Sequence, residues 1–155
     1  MYEYKVNILK VVDGDTVDVD IDLGFGCWLR NERVRIVGID CPESRTSDRI
    51  EKVFGEAAKQ RLTSLLSSEA TLISQISKMG ENMKGKFGRI LGDFTVYHAP
   101  TDSWRMVTDI MVEEGHAVAY FGGSKEEIQQ KHMANRGKLI REGLVKMTEE
   151  EAGLV

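Results

Sequence analysis

The stretch Val17-Asp18-Val19-Asp20-Ile21-Asp22-Leu23 alternates strictly between apolar and acidic residues. Alternation with period two predicts a strand with one buried and one charged face. Tyr2 to Val12, rich in aliphatic and aromatic residues, predicts a strand before it, and Gly24 and Gly26 end the second. Glu32 to Ile39 predicts a third, with Arg33 and Arg35 alternating against Val34 and Ile36. Three strands in so short a span suggest an antiparallel meander or small barrel. Pro42 then stops the strand, and a polar loop from Ser44 to Arg49 offers Ser47 or Asp48 as a helix N-cap. Val53, Phe54, Ala57, Ala58, Leu62, Leu65 and Leu66 recur at helical spacing, so a helix is expected over about 50–66.

Ala70 to Ile76 returns to strand character, Lys78 to Gly88 reads as a Gly- and Lys-rich loop, and Ile90 to Tyr97 as a further strand. His98 to Ser103 is turn-rich, and Trp104 beside it is either an exposed contact or folded back onto the barrel. A short helix is expected from Val107 to Glu114, closed by Gly115. Ser124-Lys125-Glu126-Glu127 fits a capping box opening a last helix to about Arg141. The sequence contains no repeat and no low-complexity linker. The expectation is one domain over residues 1–147 and an acidic, frayed tail over 148–155.

The chain has 155 residues, enough for one sizeable core, with 41% hydrophobic and 30% charged residues. Its net charge of -4 argues against a broad nonspecific nucleic-acid binder, because neutralising phosphates needs Lys and Arg. A local basic cleft stays compatible with that total. No apolar run is long enough to span a membrane, and the N-terminus lacks a signal-peptide core, so an intracellular protein is expected. Cys27 and Cys41 lack CxxC spacing and read as reduced thiols, a disulfide being the alternative. Asp18 to Asp22 resembles the start of an EF-hand loop, but Leu23 and Leu29 stand where Gly and Glu are required. His98, His116 and His132 show no ligand spacing and read as surface or locally hydrogen-bonded residues. Oligomeric state is not set by the sequence, and a monomer is the default.

Chemistry concentrates in three short blocks. Asp13-Gly14-Asp15-Thr16 ends the first strand, Arg35 to Asp40-Cys41-Pro42-Glu43 ends the third, and Lys86-Phe87-Gly88-Arg89 precedes a later one. Together they supply carboxylates for a hard metal ion and arginines for a phosphate, a combination suited to phosphodiester cleavage. Taken alone, Asp13 and Asp15 are ordinary turn residues. Arg35 and Asp40 fall on opposite faces of a regular strand, so the chain must bend between them, which Gly38 permits.

In order, spacing and intervening helix, these blocks resemble the three signature blocks of the staphylococcal nuclease (thermonuclease) family. The resemblance implies an α+β, mainly β fold: a five-stranded barrel of the oligonucleotide-binding type with three helices against it. It implies a calcium ion held by Asp15, Asp40 and the backbone carbonyl of Cys41, where most members carry Thr. It makes Glu43 the base toward, or the orienter of, the attacking water, and Arg35 and Arg89 the clamp on the scissile phosphate. Lys86 and Phe87 would lie near the terminal phosphate and sugar of a bound nucleotide; members usually have Tyr at the Phe87 position. Tyr120 would stack on a base. Lys84 and Arg45 join the basic set expected around the cleft, with Asp18, Asp20, Asp22 and the Glu149–Glu151 tail pointing away. The implied activity is calcium-dependent endonucleolytic cleavage of DNA and RNA leaving 3′-phosphate ends. The rivals are a non-catalytic nucleic-acid-binding module and a small-substrate metal-dependent phosphatase.

Overall fold

The computed structural model describes residues 2–75 and 88–155. Its eight strands are β1 (Glu3–Asp13), β2 (Thr16–Gly24), β3 (Cys27–Ile36), β4 (Ile39–Asp40), β5 (Ala70–Ser74), β6 (Ile90–His98), β7 (Ser103–Met106) and β8 (Val118–Ala119). Its three helices are α1 (Arg49–Leu65), α2 (Val107–Glu114) and α3 (Lys125–Arg141).

The strict alternation of β2 turns Val17, Val19 and Ile21 inward. Its acidic face is met by the neighbouring strand. Asp18 sits opposite Arg33 and accepts two hydrogen bonds from its guanidinium, while Asp20 accepts from Arg30 and from the Asn31 amide. The meander β1–β2–β3 is antiparallel, and β5 extends it beside β1. β6 pairs with β5 on one side and, in parallel, with β3 on the other. That parallel contact, Val34 opposite Ile90 through Ile36 opposite Gly92, closes a five-stranded barrel of the oligonucleotide-binding type, and β7 adds a sixth strand outside it.

Three segments depart from expectation. The third strand begins at Cys27 and ends at Ile36, and the chain then turns through Gly38 at φ +83° into the two-residue β4, which pairs with β8. The region expected to be a turn ends in β7, where Trp104 is 57% exposed and meets the ring of Tyr97 edge-on at 5.8 Å. The acidic tail is docked rather than frayed. Ala152 is fully buried with Phe54, Leu139 and Val145, and its carbonyl accepts from Arg136. The sequence misleads here because one alanine and one leucine among acidic residues give no periodic signal.

Capping fixes the helices as expected. The Asp48 carboxylate accepts from the Ile50 and Glu51 amides at the start of α1, and the Ser124 hydroxyl accepts from Glu127 at the start of α3. Gly115, at φ +88°, ends α2. α1 joins two clusters: Ala58, Leu62 and Leu65 enter the barrel core, while Phe54 packs toward α3 and the tail. Among the described residues no helix is long and apolar enough to cross a membrane.

Candidate functional site

The turn that ends β1 and the loop that follows β4 face each other, and α1 presses the second against the first. Gly55 makes this possible. A Cβ there would lie 2.2 Å from the Glu43 carbonyl oxygen, so only glycine lets the helix approach so closely. Gly14 plays the same part in the first turn, where a Cβ would meet Ala58 at 2.8 Å.

The resulting cleft, of about 740 Å³, is lined by Asp15, Arg35, Asp40, Cys41, Glu43 and Arg89, all expected at the site. Asp13, Arg33, Arg45 and Glu51 contribute as well. The bend at Gly38 resolves the parity problem, since Arg35 and Asp40 both reach the cleft once the strand is broken between them.

The two aspartates of the first turn divide the work. Asp13 holds the opposite loop: its Oδ1 accepts from the Ser44 amide (3.2 Å) and hydroxyl, and Arg45 lies 3.4 Å from its Oδ2. Asp15 accepts from the Thr16 hydroxyl (3.0 Å) and the Cys41 amide (3.3 Å), with Arg35 at 3.5 Å. Burial nevertheless raises the Asp15 pKa above the ordinary carboxylate value, against the opposing pull of Arg35. Burial, with Glu43 and Asp48 nearby, also raises that of Glu51.

Arg35 is anchored to the turn that follows it. It donates to the carbonyls of Ile36 and of Ile39 (3.0 Å) and leans on Asp15, which leaves part of its five-donor fork for another acceptor. Arg89 has a buried Nε with no acceptor among the described residues. A buried donor without a partner is costly, so this guanidinium is suited to an anionic guest. Glu43 is exposed at the cleft. The Cys41 thiol belongs to the apolar core and is raised well above its usual pKa by burial, so it is poorly suited to metal ligation; Cys27 is exposed, and both cysteines are free.

Tyr120 lies elsewhere. It lines an adjoining cleft with Gly38, Ile39 and Phe121, and its amide donates to the Gly38 carbonyl (2.9 Å). Lys84, Lys86 and Phe87 lie outside the described residues. None of Asp18, Asp20, Asp22 or the Glu149–Glu151 tail lines the cleft.

Sequence reasoning missed one neighbour. His132 of α3 places Nε2 2.7 Å from Asp40 Oδ2. With the two 92 positions apart in the chain, no local spacing could have paired them.

Five carboxylates and four guanidiniums line the cleft among the described residues. Such a site has an excess of hard oxygen donors and suits a divalent cation. No three His, Cys, Asp or Glu side chains among the described residues converge as a ready-made cage. A hard cation there would have to draw on carboxylates of both turns, on backbone carbonyls and on water.

The family model described as Staphylococcal nuclease homologue matches residues 33–147. The chain is also similar to Protein ParB of Escherichia coli, with 30% identity over 146 residues, covering 92% of this chain and 72% of that protein.

Proposed function

Because the chain belongs to the staphylococcal nuclease homologue family, we propose that it is a calcium-dependent endonuclease that hydrolyses the phosphodiester bonds of DNA and RNA, leaving 3′-phosphate ends. The observation that carries this reading is the buried Nε of Arg89, without a partner among the described residues, in the same cleft as Arg35, Asp15, Asp40 and Glu43. The family alone would support a nuclease-like nucleic-acid-binding domain; a guanidinium poised for an anion beside carboxylates poised for a cation supports catalysis.

In this reading Asp15, Asp40 and the Cys41 carbonyl hold the calcium. When bound, the ion supplies Lewis-acid polarisation of the phosphate and offsets the excess of carboxylates. Arg89 and the free part of the Arg35 fork grip the non-bridging oxygens, where negative charge grows as water adds to phosphorus. Donors fixed in advance stabilise that charge more than the ground state. Arg35 needs no reorganisation, since the Ile36 and Ile39 carbonyls already hold it. Glu43, exposed at the cleft, orients the attacking water or takes its proton. Tyr120, with Lys84, Lys86 and Phe87, would carry the rest of the nucleic acid. Arg45, exposed at the cleft and held only loosely by Asp13, favours a chain-like substrate over a small enclosed one.

The test is incubation of the purified protein with single-stranded DNA and RNA, with calcium or with excess chelator, followed by end-group analysis. Calcium-dependent 3′-phosphate ends support the proposal. Equal cleavage in chelator removes the calcium role. Binding without cleavage favours the non-catalytic module, and hydrolysis of small phosphate esters alone favours the phosphatase.

A further inference from the structure

We infer that His132 is a positioning residue for the cleft: by donating from Nε2 to Asp40 Oδ2 it fixes that carboxylate, leaving the second oxygen for a cation. The inference rests on the reading of Asp40 as a calcium ligand.

Asp40 has little else to hold it. It ends a strand of two residues whose pairing is confined to β8, and its side chain is 43% exposed. A half-exposed carboxylate on so short a strand has few contacts to order it, and a ligand that must be ordered on binding binds more weakly. His132 is the opposite case. Its side chain is 11% exposed and stands on a capped helix of 17 residues. That helix is tied to the same small sheet, since Asn135 Nδ2 donates to the Ala117 carbonyl at 3.2 Å, just ahead of β8. The ring is therefore a well-held donor aimed at an acceptor with little other support.

The tautomer follows from the partner. A carboxylate only accepts, so Nε2 carries the proton. Nδ1 is buried without a partner among the described residues, so the ring spends its one satisfied contact on Asp40. Neighbours that orient a ligand in this way commonly change metal affinity or activity by 10- to 100-fold when removed.

The experiment compares the full chain with His132→Ala and His132→Gln, whose Nε2 can donate from a similar reach. Calcium affinity is measured by calorimetry, cleavage of single-stranded DNA by kcat and KM, and folding by thermal melts. His132→Ala should bind calcium about 10-fold more weakly and lower kcat at fixed calcium, with KM for DNA little changed. His132→Gln should recover most of both. Wild-type calcium affinity in folded His132→Ala overturns the inference, as does His132→Gln performing no better than His132→Ala. If the wild type binds calcium but cuts nothing, the endonuclease reading fails while the affinity ratio still decides the role of His132. If the wild type binds no calcium, both fall.

Discussion

Gly55 of α1 lies directly against the backbone of Glu43, so closely that a methyl group in place of its hydrogen would stand 2.2 Å from the Glu43 carbonyl oxygen and 2.6 Å from the Ser44 nitrogen. The helix therefore sets the position of the loop that carries Glu43. Gly55→Ala must push that loop or the helix aside, at a cost of about 1–3 kcal/mol. It should also lower cleavage more than the loss of stability alone accounts for. Thermal melts and kcat measured at a temperature where the variant is fully folded check this; unchanged values of both would show that the contact relaxes freely.

Arg89 contributes differently. Its Nε has no partner to lose among the described residues and is costly to bury, so Arg89→Ala should leave stability unchanged or raise it. The same change should reduce kcat by about 10²–10³, the cost of one donor to a developing oxyanion. A large drop in melting temperature, or a rise in KM with kcat intact, would remove Arg89 from the phosphate clamp.

Asp93, on β6 away from the cleft, predicts a pH dependence of folding. Burial pushes its pKa up to about 6, although the Thr108 hydroxyl and the Phe94 amide donate to it. The folded state thus keeps a proton that the unfolded chain releases near 3.8, its ordinary value. Stability from this group is complete below that value and is lost as pH rises through about 6. The loss is at most about 3 kcal/mol. Urea melts between pH 4 and 8 should show a downward slope in the wild type that Asp93→Asn largely removes. Parallel slopes in the two proteins would show that Asp93 does not keep its proton.

Charge around the cleft predicts which surface substitutions reach nucleic acid. Asp20 faces Arg30 and the Asn31 amide and does not line the cleft, so Asp20→Asn should leave affinity for single-stranded DNA nearly unchanged. Arg45 lines the cleft and is only weakly held by Asp13, so Arg45→Glu should weaken binding. Losing its phosphate contact should also flatten the log affinity against log salt plot by about 0.7. Equal salt slopes for Arg45→Glu and wild type would place the strand elsewhere.

The parts legible in the sequence are those written as local rules. Alternation gave the inward face of β2, helical spacing gave α1, and Asp48, Gly115 and Ser124 marked helix ends where they fall. The bend required between Arg35 and Asp40 was likewise legible, because a parity argument needs only the strand and Gly38. β4 and β8 were not legible, since two residues carry no period. Nor was the buried seat of Ala152, or the contact between His132 and Asp40, because each depends on where a distant helix comes to rest. The division of labour between Asp13 and Asp15 is of the same kind: neighbours in sequence, they differ because one faces Ser44 and the other Cys41.

The parallel seam between β3 and β6 also sets an order of assembly. Val34 finds Ile90 only after the intervening chain has been made, and Asp40 meets His132 later still. A nascent chain halted before β6 would expose the outer edge of β3, and one halted before α3 would have a barrel without the histidine that steadies Asp40. Contacts so far apart along the chain slow folding. They also delay completion of the cleft until α3 has emerged, so a fragment halted before that helix would lack the finished site that the proposed function requires.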